Sequence, residues 1–161
     1  MIKIFVTGGT FDKDYDEKNG RLYFKETHMN EILKLGRSKV DVNIETLMML
    51  DSLVMDEDDR KLIIEKCTKS KENHIVITHG TDTMTDTAMD LGQRKLNKTI
   101  VLTGAMIPYK FGTSDGLFNI ASALAYVQTL TKGVYVAMNG RVFTYDRVLK
   151  NRDTGIFEEL I

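Results

Sequence analysis

The chain has 161 residues and a mass of 18.3 kDa, with 42% hydrophobic and 28% charged side chains, which is the size and balance of one globular domain rather than a disordered chain. Its 22 basic and 23 acidic residues leave a net charge of −1, so no basic field exists to hold a polyanion and nucleic acid is excluded as a main partner. One cysteine, Cys67, rules out an internal disulfide and a cysteine-based zinc site, and no apolar run approaches the ~20 residues of a membrane span.

Ile2 to Thr7 is a β-rich apolar run without a cleavage signal, stopped by Gly8-Gly9, and reads as the first strand. Phe11 to Glu26 is polar, with aromatics among Asp, Lys, Asn and Gly, and is expected to be a long mobile loop over the site. Thr27 is placed to cap a helix whose inner face is Met29, Ile32 and Leu33, ended by Gly36. Val40, Val42 and Ile44 alternate with Asp41, Asn43 and Glu45, a strand with one solvated side. Asp56 to Ser70 predicts a helix opened by acidic residues, with Leu62, Ile63 and Cys67 as its stripe. His74 to Thr78 predicts a buried strand, and a helix follows through Met84, Ala88, Leu91 and Gln93. Thr99 to Thr103 is the next strand, and Ala105 to Thr113, with the only proline, Pro108, is irregular. Ser114 or Asp115 is expected to cap a helix carrying Phe118, Ala121, Leu124 and Ala125. Val134 to Ala137 is a strand, and Asn139-Gly140 signals a hairpin into Val142-Phe143.

This alternation predicts an α/β fold, one domain over 1–161, with a mainly parallel central sheet and helices on both faces. The arrangement expected is flavodoxin- or Rossmann-like with a C-terminal hairpin. In such sheets ligands bind at the carboxyl ends of the strands, near the switch in strand order. Those ends are Thr7-Gly8-Gly9-Thr10, Leu50-Asp51-Ser52, Thr78-His79-Gly80-Thr81-Asp82-Thr83 and Thr103-Gly104-Ala105-Met106. Taken singly, a Gly-Gly turn is a turn, and Thr81-Asp82-Thr83 is explained by helix capping. Four consecutive ends of small and hydroxyl residues, with no apolar plug, point instead to a pocket for a small polar ligand. Neither a dinucleotide fingerprint nor a P-loop is present. His28, His74 and His79 share no metal-binding spacing, so no metal site and no cofactor are expected. A structural hydrogen-bonding role is expected for His79, and packing for Cys67 and the nine methionines.

At these same residues the sequence resembles the bacterial-type L-asparaginase family. The matching stretches are Thr7-Gly8-Gly9-Thr10-Phe11, Asp51-Ser52, His79-Gly80-Thr81-Asp82-Thr83-Met84 and Gly104-Ala105-Met106. Asp115-Gly116 with Phe118-Asn119, and Met138-Asn139 running on to Lys150, complete six collinear blocks over nearly the whole chain. The resemblance implies hydrolysis of L-asparagine to L-aspartate and ammonia, with Thr10 as nucleophile toward the side-chain amide carbon. Tyr15 is implied as its activating partner, with Tyr23 the alternative because the loop does not align uniquely. Thr81, Asp82 and Lys150 resemble a second triad, in which the lysine assists a hydroxyl or a water. Gly9, Asp51, Ser52, Gly80, Thr81, Asp82 and Ala105 would line the substrate pocket. Ser52 and nearby amides would face the α-carboxylate, and Asp82 the α-ammonium. Backbone N–H groups of Gly9, Thr10 or Thr81 would stabilise the oxyanion. A left-handed crossover beside the site is also implied, against the usual rule.

Two departures stand beside this. Family members carry a second domain that supplies pocket residues across a subunit interface, and this chain ends at Ile161, just past Lys150. Ile107-Pro108 stands where the family more often has a basic residue before the proline. The expectation is a cytoplasmic, short one-domain form that self-associates as a homodimer or higher homo-oligomer, with a piece cut from a longer two-domain chain as the other explanation of the missing domain. The alternative is a catalytically weak amino-acid-binding or regulatory module. A phosphoacceptor receiver domain would need an acidic pair after the first strand to hold magnesium, and Gly8-Gly9-Thr10 stands there.

Overall fold

Short apolar runs between glycine-rich turns become the interior strands, because a parallel strand covered on both faces has no place for polar alternation. The structure is a computed structural model and describes residues 1–161. Its first half runs β1 (Ile2–Gly8), a 3-10 turn (Thr10–Asp12), β2 (Lys13–Asp16), β3 (Arg21–Phe24), α1 (Met29–Leu35), β4 (Val42–Leu50) and α2 (Glu57–Lys69). The second half runs β5 (His74–Thr78), α3 (Met84–Gln93), β6 (Thr99–Thr103), a 3-10 turn (Tyr109–Phe111) and α4 (Gly116–Thr129). It closes with β7 (Gly133–Met138), β8 (Arg141–Thr144), β9 (Val148–Lys150) and β10 (Phe157–Glu159).

The six-stranded sheet has the order β4-β1-β5-β6-β7-β8, parallel except for β8, which returns antiparallel to β7 through Asn139-Gly140. The chain moves from β1 outward to β4 and then back across to β5. The switch in strand order therefore lies between β1 and β5, whose carboxyl ends carry Thr10 and Thr81. Successive residues of β5 bury to opposite faces: Ile75 and Ile77 meet Ile63 and Cys67 of α2 and Met84, Ala88 and Leu91 of α3 in one cluster. Val76 joins the other cluster with Met29 and Ile32 of α1 and Ile120, Ala123 and Val127 of α4. The i, i+3, i+4 spacing of those helical residues gives each helix one apolar stripe.

The acidic opening of α2 is a capping box: Asp56 accepts from the N–H groups of Asp58 (2.9 Å) and Asp59 (3.0 Å), and Asp59 accepts from Asp56 N–H (3.1 Å). At the rim of the sheet Glu45 of β4 is held by Lys3 and Lys66, each 2.7 Å away. β4 and β8 form the two open edges.

The structure corrects several expectations. Residues 11–26 are not a loop: β2 and β3 pair antiparallel, with Lys13 opposite Phe24 and Tyr15 opposite Leu22. Asp16 closes the turn, accepting from the N–H groups of Lys18 (3.1 Å) and Asn19 (3.2 Å), and Gly20 takes φ 64°. β4 starts at Val42 and continues to Leu50, beyond the alternating stretch that marked it. Of the two residues expected to cap α4, Ser114 does so, while the Asp115 side chain does not. It reaches back to the N–H groups of Met106 and Ile107, both 3.0 Å away, and Ser114 Oγ takes the Gly116 N–H instead. A second hairpin, β9–β10, follows the one at Asn139-Gly140, with Phe157 opposite Lys150.

Candidate active site

The four strand ends meet backbone to backbone. Gly9 has φ 74° and ψ −180°, a conformation open only to glycine, and a Cβ there would lie 2.4 Å from Gly80 N. On the far side of that contact a Cβ at Gly80 would lie 2.5 Å from Ser52 Oγ. Gly9 N–H donates to Leu50 C=O (2.8 Å) and His79 N–H to Thr103 C=O (2.9 Å). The candidate pocket residues Gly9, Gly80 and Ser52 are thus stacked in one seam, and all three are buried.

Thr81 follows this seam and is 6% exposed. Its hydroxyl accepts from Lys150 Nζ at 2.8 Å, and the same ammonium holds Asp82 Oδ1 at 2.7 Å. Lys150 ends β9, so the last hairpin folds its side chain over the start of α3, across 69 positions of sequence from Thr81. An ammonium has only donors, so charged Lys150 leaves the Thr81 proton free to be given to a ligand. The Thr81 N–H is also unpaired within the protein and is available to a developing oxyanion. Gly9 N–H is not available, being spent on Leu50, which removes one of the three expected oxyanion donors.

Behind Thr81, His79 is fully buried and held at both nitrogens, 2.8 Å each, by Gly80 C=O and the Thr87 hydroxyl. A carbonyl only accepts, so Nδ1 carries the proton and Nε2 accepts from Thr87. Burial pushes its pKa down to about 4, which keeps the ring neutral in that tautomer. The expected structural role of His79 is what the geometry shows. Asn119, also fully buried, donates to Gly104 C=O and Asp115 (both 2.9 Å) and accepts from Asn139 N–H (2.9 Å), tying the ends of β6 and β7 together. The Ala105 methyl joins the apolar cluster beneath, leaving its backbone as the part that faces the strand ends.

Thr10 stands at the first position of its 3-10 turn, half-buried, and its hydroxyl makes no hydrogen bond within the protein. The structure does not bring Tyr15 to it. Tyr15 is 56% exposed and packs edge-on against Phe111, ring centroids 6.3 Å apart. Strand alternation puts Tyr15 on the hairpin face shared with Lys13, and Tyr23 on the opposite face with Asp14, beside His28.

Three polar residues of the site carry no signal in the sequence. Lys13 Nζ binds Asp51 Oδ2 at 2.5 Å, while Asp51 Oδ1 accepts from Leu53 N–H at 3.0 Å. That lysine first, and the N–H second, hold the Asp51 carboxyl below the usual carboxylate range. Asp12, fully buried, accepts from His28 N–H (2.8 Å) and the Thr27 hydroxyl (3.1 Å), fastening the base of the hairpin to α1. Burial pushes the Asp12 carboxyl up, against those two hydrogen bonds. Arg152 reaches Asp82 C=O at 3.4 Å. Cys67 lies away from all of this, buried with its thiol pushed up to about 12.

Comparison with known proteins identifies the family and the fold. The family model described as asparaginase, N-terminal, matches residues 1–156. L-asparaginase of Thermococcus kodakarensis is 31% identical over 163 residues, covering 96% of this chain and 49% of that protein. L-asparaginase 2 of Escherichia coli is 31% identical over 166 residues, covering 96% and 47%. A glutamyl-tRNA(Gln) amidotransferase chain of Methanococcus vannielii is 34% identical over 152 residues, covering 88% and 34%. Among solved structures, the thermostable T. kodakarensis L-asparaginase superposes with a TM-score of 0.84 at 30% identity, over 98% of this chain and 50% of that one. The probable cytoplasmic L-asparaginase of Campylobacter jejuni gives 0.84 at 30%, over 98% and 52%. The chain spans about half the length of the curated asparaginases it matches.

Proposed function

The chain belongs to the asparaginase family, and from that premise we propose that it is an amidohydrolase that releases ammonia from L-asparagine through a threonine nucleophile. The observation that carries this reading is the hydrogen-bonded Lys150–Thr81–Asp82 constellation, with Thr81 buried, at the switch in strand order. In the proposed reaction Thr10 Oγ1 attacks the side-chain amide carbon, and its proton passes to the leaving nitrogen, which departs as ammonia. Water then cleaves the aspartyl ester and restores the hydroxyl. Thr81, polarised by Lys150, relays a proton or orients the water. The tetrahedral oxyanion faces the Thr81 N–H; losing one such donor costs on the order of 3 kcal/mol of barrier. Ser52 and the Gly80 N–H face the α-carboxylate, and Asp82 the α-ammonium. Tyr15 reaches Thr10 only when the hairpin moves, as active-site segments do on closure.

The test is ammonia release from L-asparagine over a wide concentration range by the wild type, Thr10→Ala and Thr81→Val. Saturable release lost in both variants supports the proposal. No release at tens of millimolar substrate, from a folded chain, sinks it.

The free Thr10 hydroxyl favours a second reading, an amino-acid-binding or regulatory module with little turnover. L-aspartate binding without ammonia release would mark that outcome. We place the protein in the cytoplasm as a homo-oligomer with a small amino acid as ligand. Exposed Leu53, Val54, Phe111 and Ile156 offer apolar surface for association. Sedimentation at micromolar concentration reads the assembly.

A further inference from the structure

Both carboxylates of the candidate pocket already hold a lysine. Lys150 serves Asp82 and Thr81 together, so it belongs to the triad. Lys13 has no polar partner besides Asp51, and its ammonium lies 5.8 Å from the centroid of the Phe24 ring. The pair is sheltered: the Lys13 side chain is 16% exposed and that of Asp51 36%. Asp51 immediately precedes Ser52, the far wall of the glycine seam, and Lys13 stands three positions after Thr10. A ligand seated between Thr10 and Ser52 therefore has this ion pair beside it. Each oxygen of Asp51 already accepts one hydrogen bond, from Lys13 or from Leu53 N–H, so an incoming ammonium would compete with the Lys13 charge there.

We propose that Lys13 is a specificity-determining residue of this pocket, its ammonium filling the position on Asp51 that a ligand's ammonium would otherwise take. The proposal rests on reading the site as an amino-acid pocket. With Asp82 facing the α-ammonium, a ligand ammonium that also reaches Asp51 has to share it with Lys13, whereas a ligand carrying only carboxylates gains from the cation beside it. The share of Asp51 in discriminating L-aspartate from succinate, which differ by that ammonium, is accordingly small in the wild type. It widens once Lys13 is neutral, because Asp51 is then free to pair with the ligand.

Calorimetric titration of L-aspartate and of succinate against the wild type, Lys13→Gln and Lys13→Arg tests this. Lys13→Met, which keeps an apolar stem against Phe24, serves as a second neutral variant. The neutral variants should raise the ratio of L-aspartate to succinate affinity by about fivefold, the worth of one partly exposed ion pair. Lys13→Arg should keep the wild-type ratio, and adding Asp51→Asn to Lys13→Gln should abolish the gain. A ratio unchanged in both neutral variants, with both ligands still bound, overturns the role of Lys13 and leaves the pocket standing. Binding of neither ligand by any of these chains, all with cooperative melting transitions, overturns the amino-acid pocket and this role with it.

Discussion

The two threonines of the site stand one strand apart, after β1 and after β5, and are held in opposite ways. Thr81 is buried, bonded to Lys150, and backed by a histidine satisfied at both nitrogens. Thr10 opens a short turn leading into a two-stranded hairpin, and its hydroxyl is free. That hairpin is fastened by a few polar ties, Lys13 to Asp51 and Asp12 to His28, while its aromatic residues Tyr15 and Tyr23 stay exposed. The difference separates a half of the site fixed by burial and hydrogen bonds from a half held by fewer of either. Few apolar contacts make the second half the cheaper to move.

The strongest way to break this comparison is to cut the pre-set half. Lys150→Met should lower ammonia release by about a thousandfold, the scale of a lost proton-transfer group, while leaving a cooperative melting transition. Retained release would show that the lysine only props up the final hairpin. Next comes the seam where the halves touch. Gly9→Ala forces a Cβ onto the Gly80 backbone in a conformation open only to glycine, and should destabilise the fold by about 3 kcal/mol in urea unfolding.

The third prediction concerns pH. His79 titrates near 6.5 when unfolded and near 4 when folded, so the unfolded chain binds the proton more tightly. Its contribution is complete above pH 6.5 and is lost as pH falls toward 4, about 3 kcal/mol in all. His79→Gln should flatten the urea midpoint over that window. An equally steep decline in the variant would assign the loss to other groups. The smallest effect sharpens the adjustable half: Tyr15→Phe should reduce release about tenfold and Tyr23→Phe by less than twofold, because Tyr15 shares the hairpin face of Lys13. The reverse order would give the role to Tyr23.

Much of the fold is legible in the sequence because interior parallel strands are short apolar runs and their helices carry one stripe each. Ile75-Val76-Ile77 and Met84, Ala88, Leu91 need nothing beyond their period. The β2–β3 hairpin escapes such reading for the complementary reason. Neither of its faces is covered by a helix, so Lys13-Asp14-Tyr15-Asp16 shows no buried alternation, and Asn19-Gly20 is the one signal available. The strand ends can be read as a polar pocket from their residue types. The pairings of Lys150 with Thr81 and of Lys13 with Asp51 span 69 and 38 positions, and nothing local announces either. The first comes through family resemblance, and the second only through the structure. Asp115, whose sequence context reads as a helix cap, instead turns its carboxylate to the N–H groups of Met106 and Ile107 in the preceding loop.

The sheet is finished on one side by the short, reversed β8 but ends on the other in β4, nine residues long. Such a border is a template on which a foreign strand could assemble, and chains that expose one tend toward fibres. Glu45, clamped between Lys3 and Lys66, sets a cluster of three charges midway along it. A strand docking there would have to take the partly exposed Glu45 and Lys66 charges out of water, which guards the edge.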